Sequence, residues 1–260
     1  MNASPSIPIE IAPDAADDVR CRASALVARL GSMVIERGTS ADLMRLAVDE
    51  HRVELLLPGM KPGRGVAADF TGVDVKPGRK QPLARAAGAR TKTIIDATAG
   101  LGQDAFLLAC LGYRVLAIER SPIVFALLED GIRRAREDTR LSGAMGDRLT
   151  IMQGDAQQLI PQLDRADAIY IDPMFPPKRN VSALPRKEIQ ALRAAVGDDP
   201  DAANLLETAL RHAIRRVIVK RPDHAPPLRE GATTSHERKL VRYDVWASPG
   251  TFTTLREGKQ

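Results

Sequence analysis

Four residues, Asp172-Pro173-Met174-Phe175, follow the continuously apolar run Ala168 to Ile171 (AIYI). A carboxylate, a rigid proline and an aromatic ring at the mouth of a buried strand can grip a planar amine. An aryl amine is a poor nucleophile because its lone pair is delocalised into the ring. A carboxylate and a nearby carbonyl that accept its N–H groups pull the nitrogen toward tetrahedral geometry and aim the lone pair. Proline stiffens the backbone that carries those acceptors. Phe175 offers a face on which a base can stack. The competing reading is an ordinary strand-to-loop turn with Phe175 in the core. Asp172, Pro173 and Phe175 are therefore the candidate catalytic residues.

A second stretch, DATAGLGQDA (Asp96 to Ala105), places Gly100-Leu101-Gly102-Gln103-Asp104-Ala105 in the pattern G-x-G-x-x-A. The pattern is weak alone, but here it follows a strand and opens a helix. The next strand ends in Glu119, at a distance that suits ribose hydroxyls. Enzymes of NAD and of S-adenosylmethionine (SAM) share this geometry, and charge separates them. A dinucleotide sets a pyrophosphate on the helix N-terminus. Asp104 in the first turn and Asp96 before the loop oppose a diphosphate and suit the ammonium and sulfonium of SAM. The bland alternative is that Asp104 only complements the helix dipole. Glu119 can accept both ribose hydroxyls in charge-assisted bonds. Arg120 could lie over the adenine or be a surface cation. Asp155, beside Ala156, can accept the adenine amine and also cap the short helix that follows. Asp96, Gly100, Gly102, Asp104, Glu119, Arg120, Asp155 and Ala156 are the candidate donor-binding residues.

These residues need a frame, and the sequence supplies one. From residue 94 to about 220, strand and helix patterns alternate. TIID, VLAI and AIYI are continuously apolar, as in a parallel sheet covered on both faces. SPIVFALLEDGIRRAREDT reads as a helix with Ser121 as N-cap and Pro122 at its first position. RKEIQALRAAV and AANLLETALRHAI also read as helices, and KLVRYDVWA as an antiparallel edge strand. The fold class is α/β, a Rossmann-like, doubly wound, mostly parallel sheet with an antiparallel edge strand. Its ligands belong at the carboxyl ends of the strands. Residues 1–80, rich in Pro, Gly and cations, form a small appended region whose start is loose and which is a candidate for substrate docking. Residues 81–260 form the larger domain.

The chain has 260 residues, 44% hydrophobic and 27% charged, an ordinary folded composition. No apolar stretch approaches the roughly 20 residues that span a bilayer, and no secretory signal is visible. Cys21 and Cys110 make no metal-like spacing. A cytoplasmic protein that needs no metal is the expectation. Net charge is +5, a mild pointer to a polyanionic partner.

Three segments, DATAGLGQDAFLLACLGYRVLAIERSP, YIDPMFPPK and VIVKRPDHAPPL, together resemble the ribosomal RNA small subunit methyltransferase J family, over roughly residues 50 to 250. DPMFP followed by a cation and KRPD-x-A-P-P-L are far more specific than the glycine loop. Met174 stands where the related amine-methyltransferase motif has a second proline. The resemblance implies a class I methyltransferase fold. It implies methyl transfer from SAM to the 2-amino group of one guanosine in small-subunit (16S) rRNA. It implies donor contacts at Gln103, Asp104, Glu119, Arg120, Asp155, Ala156 and Asp172, with rRNA or the ribosomal subunit as partner.

RNA needs cations at the site mouth. Lys178 and Arg179 follow the catalytic loop, and Lys220 and Arg221 end the fifth strand of the alternating series; these four are the candidate RNA-binding residues. Each could instead be a solvated side chain. Adenine-N6 methylation of RNA or DNA stays open, since the same loop grips either amine. An NAD-dependent oxidoreductase has only the glycine loop behind it. A non-catalytic RNA-binding module fits poorly with Asp172 and Phe175 beside a complete donor loop.

Overall fold

The computed structural model describes residues 7–74, 78, 81–174, 201–223, 225–238 and 241–247. In chain order its first elements are β1 (Ile9–Ile11), α1 (Asp17–Leu30), β2 (Val34–Glu36), β3 (Arg45–Val48), β4 (Val53–Leu56), α2 (Pro82–Ala87), β5 (Thr93–Asp96), α3 (Gln103–Cys110) and β6 (Arg114–Glu119). There follow α4 (Pro122–Glu137), α5 (Thr139–Met145), β7 (Leu149–Gln153), α6 (Ala156–Leu159), β8 (Ala168–Ile171), α7 (Ala202–His212), β9 (Arg216–Pro222), β10 (Thr234–Arg238) and β11 (Val241–Ala247). The described residues fall into two compact units. One gathers those of Met1–Gly72 and Ser121–Thr139, the other those of Val73–Arg120, Arg140–Pro176 and Asp198–Gln260. The division thus lies after Gly72, eight residues before the expected boundary, and α4 groups with the N-terminal residues.

The first unit is built on a four-stranded sheet of order β2-β1-β3-β4. Pairing is parallel about β1 and antiparallel between β3 and β4. Residues 7–11 are therefore packed in place, where the sequence suggests a loose segment: Ile7, Ile9 and Ile11 are all buried. Glu10 and Arg45 are buried beside them and form an ion pair of 2.7 Å. On α4, the buried Asp130 accepts the Val53 N–H at 3.0 Å and pairs with Arg133 and Arg134. Gly131 is a glycine because a Cβ there would lie 2.6 Å from the Ala68 Cβ. As the sequence predicts, α4 begins with Ser121 as N-cap, accepting from the Val124 N–H, and Pro122 at its first position.

The second unit carries a seven-stranded sheet, ordered β10-β11-β9-β8-β5-β6-β7. β7, β6, β5, β8 and β9 are parallel, and β11 is antiparallel to both β9 and β10. This is the Rossmann-like class I methyltransferase arrangement. The edge differs in detail from expectation. Within KLVRYDVWA, Val241–Ala247 forms β11, which is an inner strand, and among the described residues the edge strand on that side is β10. The order reverses at β5, which lies between β6 and β8, so the ends of β5, β6 and β8 open the crevice where ligands bind such sheets. On one sheet face, Leu205, Leu206 and Ala209 of α7 pack with Ile169, Ile171, Val217, Val219 and Trp246. The helix read in RKEIQALRAAV lies outside the described residues.

Candidate active site

The loop from β5 to α3 is held in place by the neighbouring strands. Ala97 donates to the Tyr170 carbonyl and Ala99 to the Ile118 carbonyl, each at 2.9 Å. The loop then turns through Gly100 and Gly102, whose φ angles of 55° and 80° lie in the left-handed region that glycine alone adopts at little cost. Gly102 is the N-cap of α3, so Gln103 and Asp104 occupy its first turn. The Glu119 carboxylate at the end of β6 accepts the Gly100 N–H at 2.8 Å. It is only 8% exposed. One carboxylate at the end of β6 therefore ties down the glycine loop. These residues fit SAM chemically: acidic groups surround a loop whose backbone a ligand can approach closely.

Asp96 lies beneath the loop, 1% exposed, and accepts the Thr98 N–H at 3.1 Å. Burial raises its pKa well above the usual carboxylate range, and the Asp104 and Asp172 charges add to that rise. Asp155 caps α6, accepting the Gln157 N–H at 2.8 Å, with Ala156 buried behind it. Arg120 meets both Asp201 oxygens at 3.1 Å, and Gln157 donates to the same carboxylate at 2.7 Å.

Asp172 follows β8 directly, and its N–H donates to the Thr98 Oγ1 at 2.6 Å. Pro173 is buried behind it. The Lys220 ammonium lies between two carboxylates, 2.7 Å from Asp104 Oδ2 and 2.8 Å from Asp172 Oδ2. Tyr170 donates its hydroxyl to the same Asp104 oxygen at 2.7 Å. Strand geometry explains the meeting. Tyr170 and Asp172 are two apart along one chain segment, so they point to one face. Tyr170 pairs in register with Ile218 and Ile171 with Val219, which brings residue 172 beside Lys220. Burial alone would lower the Lys220 pKa, but the Asp172 and Asp104 charges outweigh it and raise it above the ordinary lysine value. Burial and then the Asp104 charge raise the Tyr170 hydroxyl as well, so it stays a neutral donor.

Two residues expected to bind RNA take other places. Lys220 serves the two carboxylates instead of standing on the rim. Arg221, next along β9, points to the opposite sheet face, where it is 1% exposed and 2.6 Å from Asp244. Alternation along a strand sends neighbouring cations to opposite faces, so Arg221 is a buried ion-pair residue and not an RNA contact. Phe175, Lys178 and Arg179 lie outside the described residues. The sequence reading passed over Tyr170 and Thr98. The spacing Tyr170-x-Asp172 was the available signal for the first.

Comparisons with known proteins bear on the fold and the family. A family model described as a SAM-dependent methyltransferase matches residues 29–248. A solved SAM-dependent methyltransferase from Neisseria gonorrhoeae has the same fold, with a TM-score of 0.69 and 29% identity, over 94% of this chain and 97% of that one. The protein is a SAM-dependent methyltransferase. Closer relatives narrow the class. A ribosomal RNA small subunit methyltransferase J from Thioalkalivibrio sulfidiphilus is 40% identical over 90% of this chain and 96% of its own length. One from Chromohalobacter salexigens is 42% identical over 85% of this chain and 91% of its own length. The chain belongs to the ribosomal RNA small subunit methyltransferase J family.

Proposed function

We propose that the chain transfers a methyl group from SAM to the exocyclic 2-amino group of a guanosine in small-subunit rRNA. One observation carries the chemistry: the Asp172 carboxylate, fixed by Lys220, next to the glycine loop at the carboxyl ends of β5 and β8. The substrate class is that in the names of its relatives.

The donor supplies an electrophilic methyl group on a sulfonium. Asp172 accepts an N–H of the amine and turns its lone pair toward that methyl group. Lys220 on one oxygen of Asp172, and Thr98 on its backbone N–H, keep the acceptor aimed. Orientation is the main contribution, because the electrophile is already strong. As the N–C bond forms, the S–C bond breaks and its electron pair stays on sulfur. The extra proton on nitrogen leaves to Asp172 or to water. Asp104 and Glu119 complement the cationic and ribose parts of the donor, with Gln103, Arg120, Asp155 and Ala156 as further contacts. Phe175 stacks on the guanine, and Lys178 and Arg179 meet phosphates; these three roles rest on the sequence. The cytoplasm is the location that fits an rRNA substrate, and among the described residues no helix is long and apolar enough to cross a membrane.

The test is transfer of tritiated methyl from SAM to small-subunit rRNA from cells lacking the protein, followed by nucleoside analysis. Label in N2-methylguanosine is the expected result. Label in N6-methyladenosine keeps the mechanism and changes the base. No label on rRNA or on assembled subunits, with donor binding intact, refutes the substrate.

A further inference from the structure

Between Val75 and Ile95 the sequence holds Lys76, Arg79, Lys80, Arg85, Arg90 and Lys92, with no Asp or Glu. In the structure this stretch includes α2 and the turn after it. Arg85 and Arg90 are exposed on either side of Gly88. A third cation comes from β9. The Arg216 guanidinium packs on Gly88 so closely that a Cβ there would lie 2.5 Å from Nη1. It donates from Nη1 to the Ala86 carbonyl at 3.1 Å, while its buried Nε has no hydrogen-bond partner.

Among the described residues, no carboxylate pairs with Arg85, Arg90 or Arg216. Burial lowers the Arg216 pKa, and the nearby Arg90 and Arg215 charges lower it further. Arg215 has its own partner, Asp167, at 2.9 Å. Tyr113 acts on Arg216 in the other direction. His236 on β10 is depressed in the same way, by burial and then by Arg85 and Arg216. Cations held together without a carboxylate repel one another in the free protein and gain when a polyanion approaches.

The cluster shares a sheet face with Lys220 and lies toward the amino end of β9. His236 pairs with Tyr243, which pairs with Lys220, so all three share one sheet face. Arg216 is four residues before Lys220 on that face, about 13 Å away along the strand. We propose that Arg85, Arg90 and Arg216 form a second RNA contact that takes backbone phosphates flanking the methylated nucleotide. The proposal rests on rRNA being the substrate.

The test uses the full chain with Arg85→Ala and Arg90→Ala combined, both exposed positions outside the active site. Binding to small-subunit rRNA is measured across a salt series, together with steady-state kinetics. Each phosphate contact adds about one unit to the slope of log K against log salt. The double variant is expected to lose about two units of slope and to raise KM for RNA about tenfold or more, with kcat and donor binding unchanged. Arg85→Lys with Arg90→Lys should restore the slope. A double-alanine variant with the wild-type slope overturns the proposal. A loss seen only with assembled subunits and not with naked rRNA also overturns it, and assigns the patch to a protein partner. Wild-type protein without salt-dependent rRNA binding refutes the substrate reading itself, and the patch falls with it.

Discussion

Replacing Lys220 by methionine is the sharpest test of how the active site works. Methionine keeps most of the side-chain volume and deletes the ammonium. Two carboxylate oxygens 2.7 and 2.8 Å from one nitrogen are at most 5.5 Å apart. Without the nitrogen, Asp104 and Asp172 face each other uncompensated, with Asp96 nearby. A hydrogen bond to a charged group contributes about 1.5–3 kcal/mol, and breaking a fully buried pair costs about 3–5 kcal/mol. Lys220 is 24% exposed and Asp172 35% exposed, so the lower range applies. A loss of about 2–3 kcal/mol in aiming Asp172 lowers kcat roughly 30- to 150-fold. The assay is single-turnover methyl transfer at saturating RNA and donor, with donor affinity measured separately by calorimetry. Donor affinity should change far less than the rate. The pH profile should change too. The ammonium, held charged by the two carboxylates, compensates both of them. Without it, like charges make one of the pair hold its proton to higher pH, so the variant should regain rate as pH rises. A wild-type kcat refutes the reasoning. So does a rate loss matched by equal loss of donor binding with an unchanged pH profile, which would make Lys220 merely a structural cation.

Asp172→Ala should remove methyl transfer by at least about a thousandfold, since it deletes both the aim and the proton acceptor, while donor affinity moves little; equal loss of both would assign Asp172 to the donor. Glu119→Ala removes the acceptor of the Gly100 N–H and the proposed ribose contact, so calorimetry should read donor affinity roughly 10- to 150-fold weaker; an unchanged affinity places the ribose elsewhere. Asp96→Asn tests burial of a carboxyl. Its pKa is raised in the fold, so its stabilising contribution is complete below about pH 3.9 and is lost as pH rises through the folded value. The variant should gain in Tm over wild type progressively above about pH 4, and parallel Tm–pH curves would contradict the shift.

The fold was legible where burial is two-sided. TIID, VLAI and AIYI become β5, β6 and β8 because only apolar side chains survive between two covered faces. It was illegible where strands are short or polar. β10 reads Thr-Ser-His-Glu-Arg and carries no apolar signal, because an edge strand has only one neighbour and faces solvent. β1 and β3 are three and four residues long, and each includes a charged residue that looks solvent-facing in sequence. Glu10 and Arg45 are in fact buried against each other, a pairing 35 residues apart that no local pattern announces. The grouping of α4 with the N-terminal residues has the same origin: Gly131 and Asp130 look like helix flaws until Ala68 and Val53 meet them.

The active site divides along a similar line. Residues set by one turn, such as Gly100, Gly102, Asp155 and Asp172, can be read locally, because the chain before and after each fixes where it stands. Lys220 could not be placed by that route, since a cation after an apolar strand looks like a rim residue in any sequence. Its role depends on register: Ile171 pairs with Val219, so the next residue on each strand is neighbour to the other. The same register sends Arg221 to the opposite face, toward Asp244. A shift of one residue in β9 would exchange the two cations. It would set Arg221 beside Asp172 and Asp104 and turn Lys220 toward Asp244. The proposed aim of Asp172 is thus tied to the pairing of β8 with β9, and the lysine reaches it through the sheet and not through its sequence neighbours.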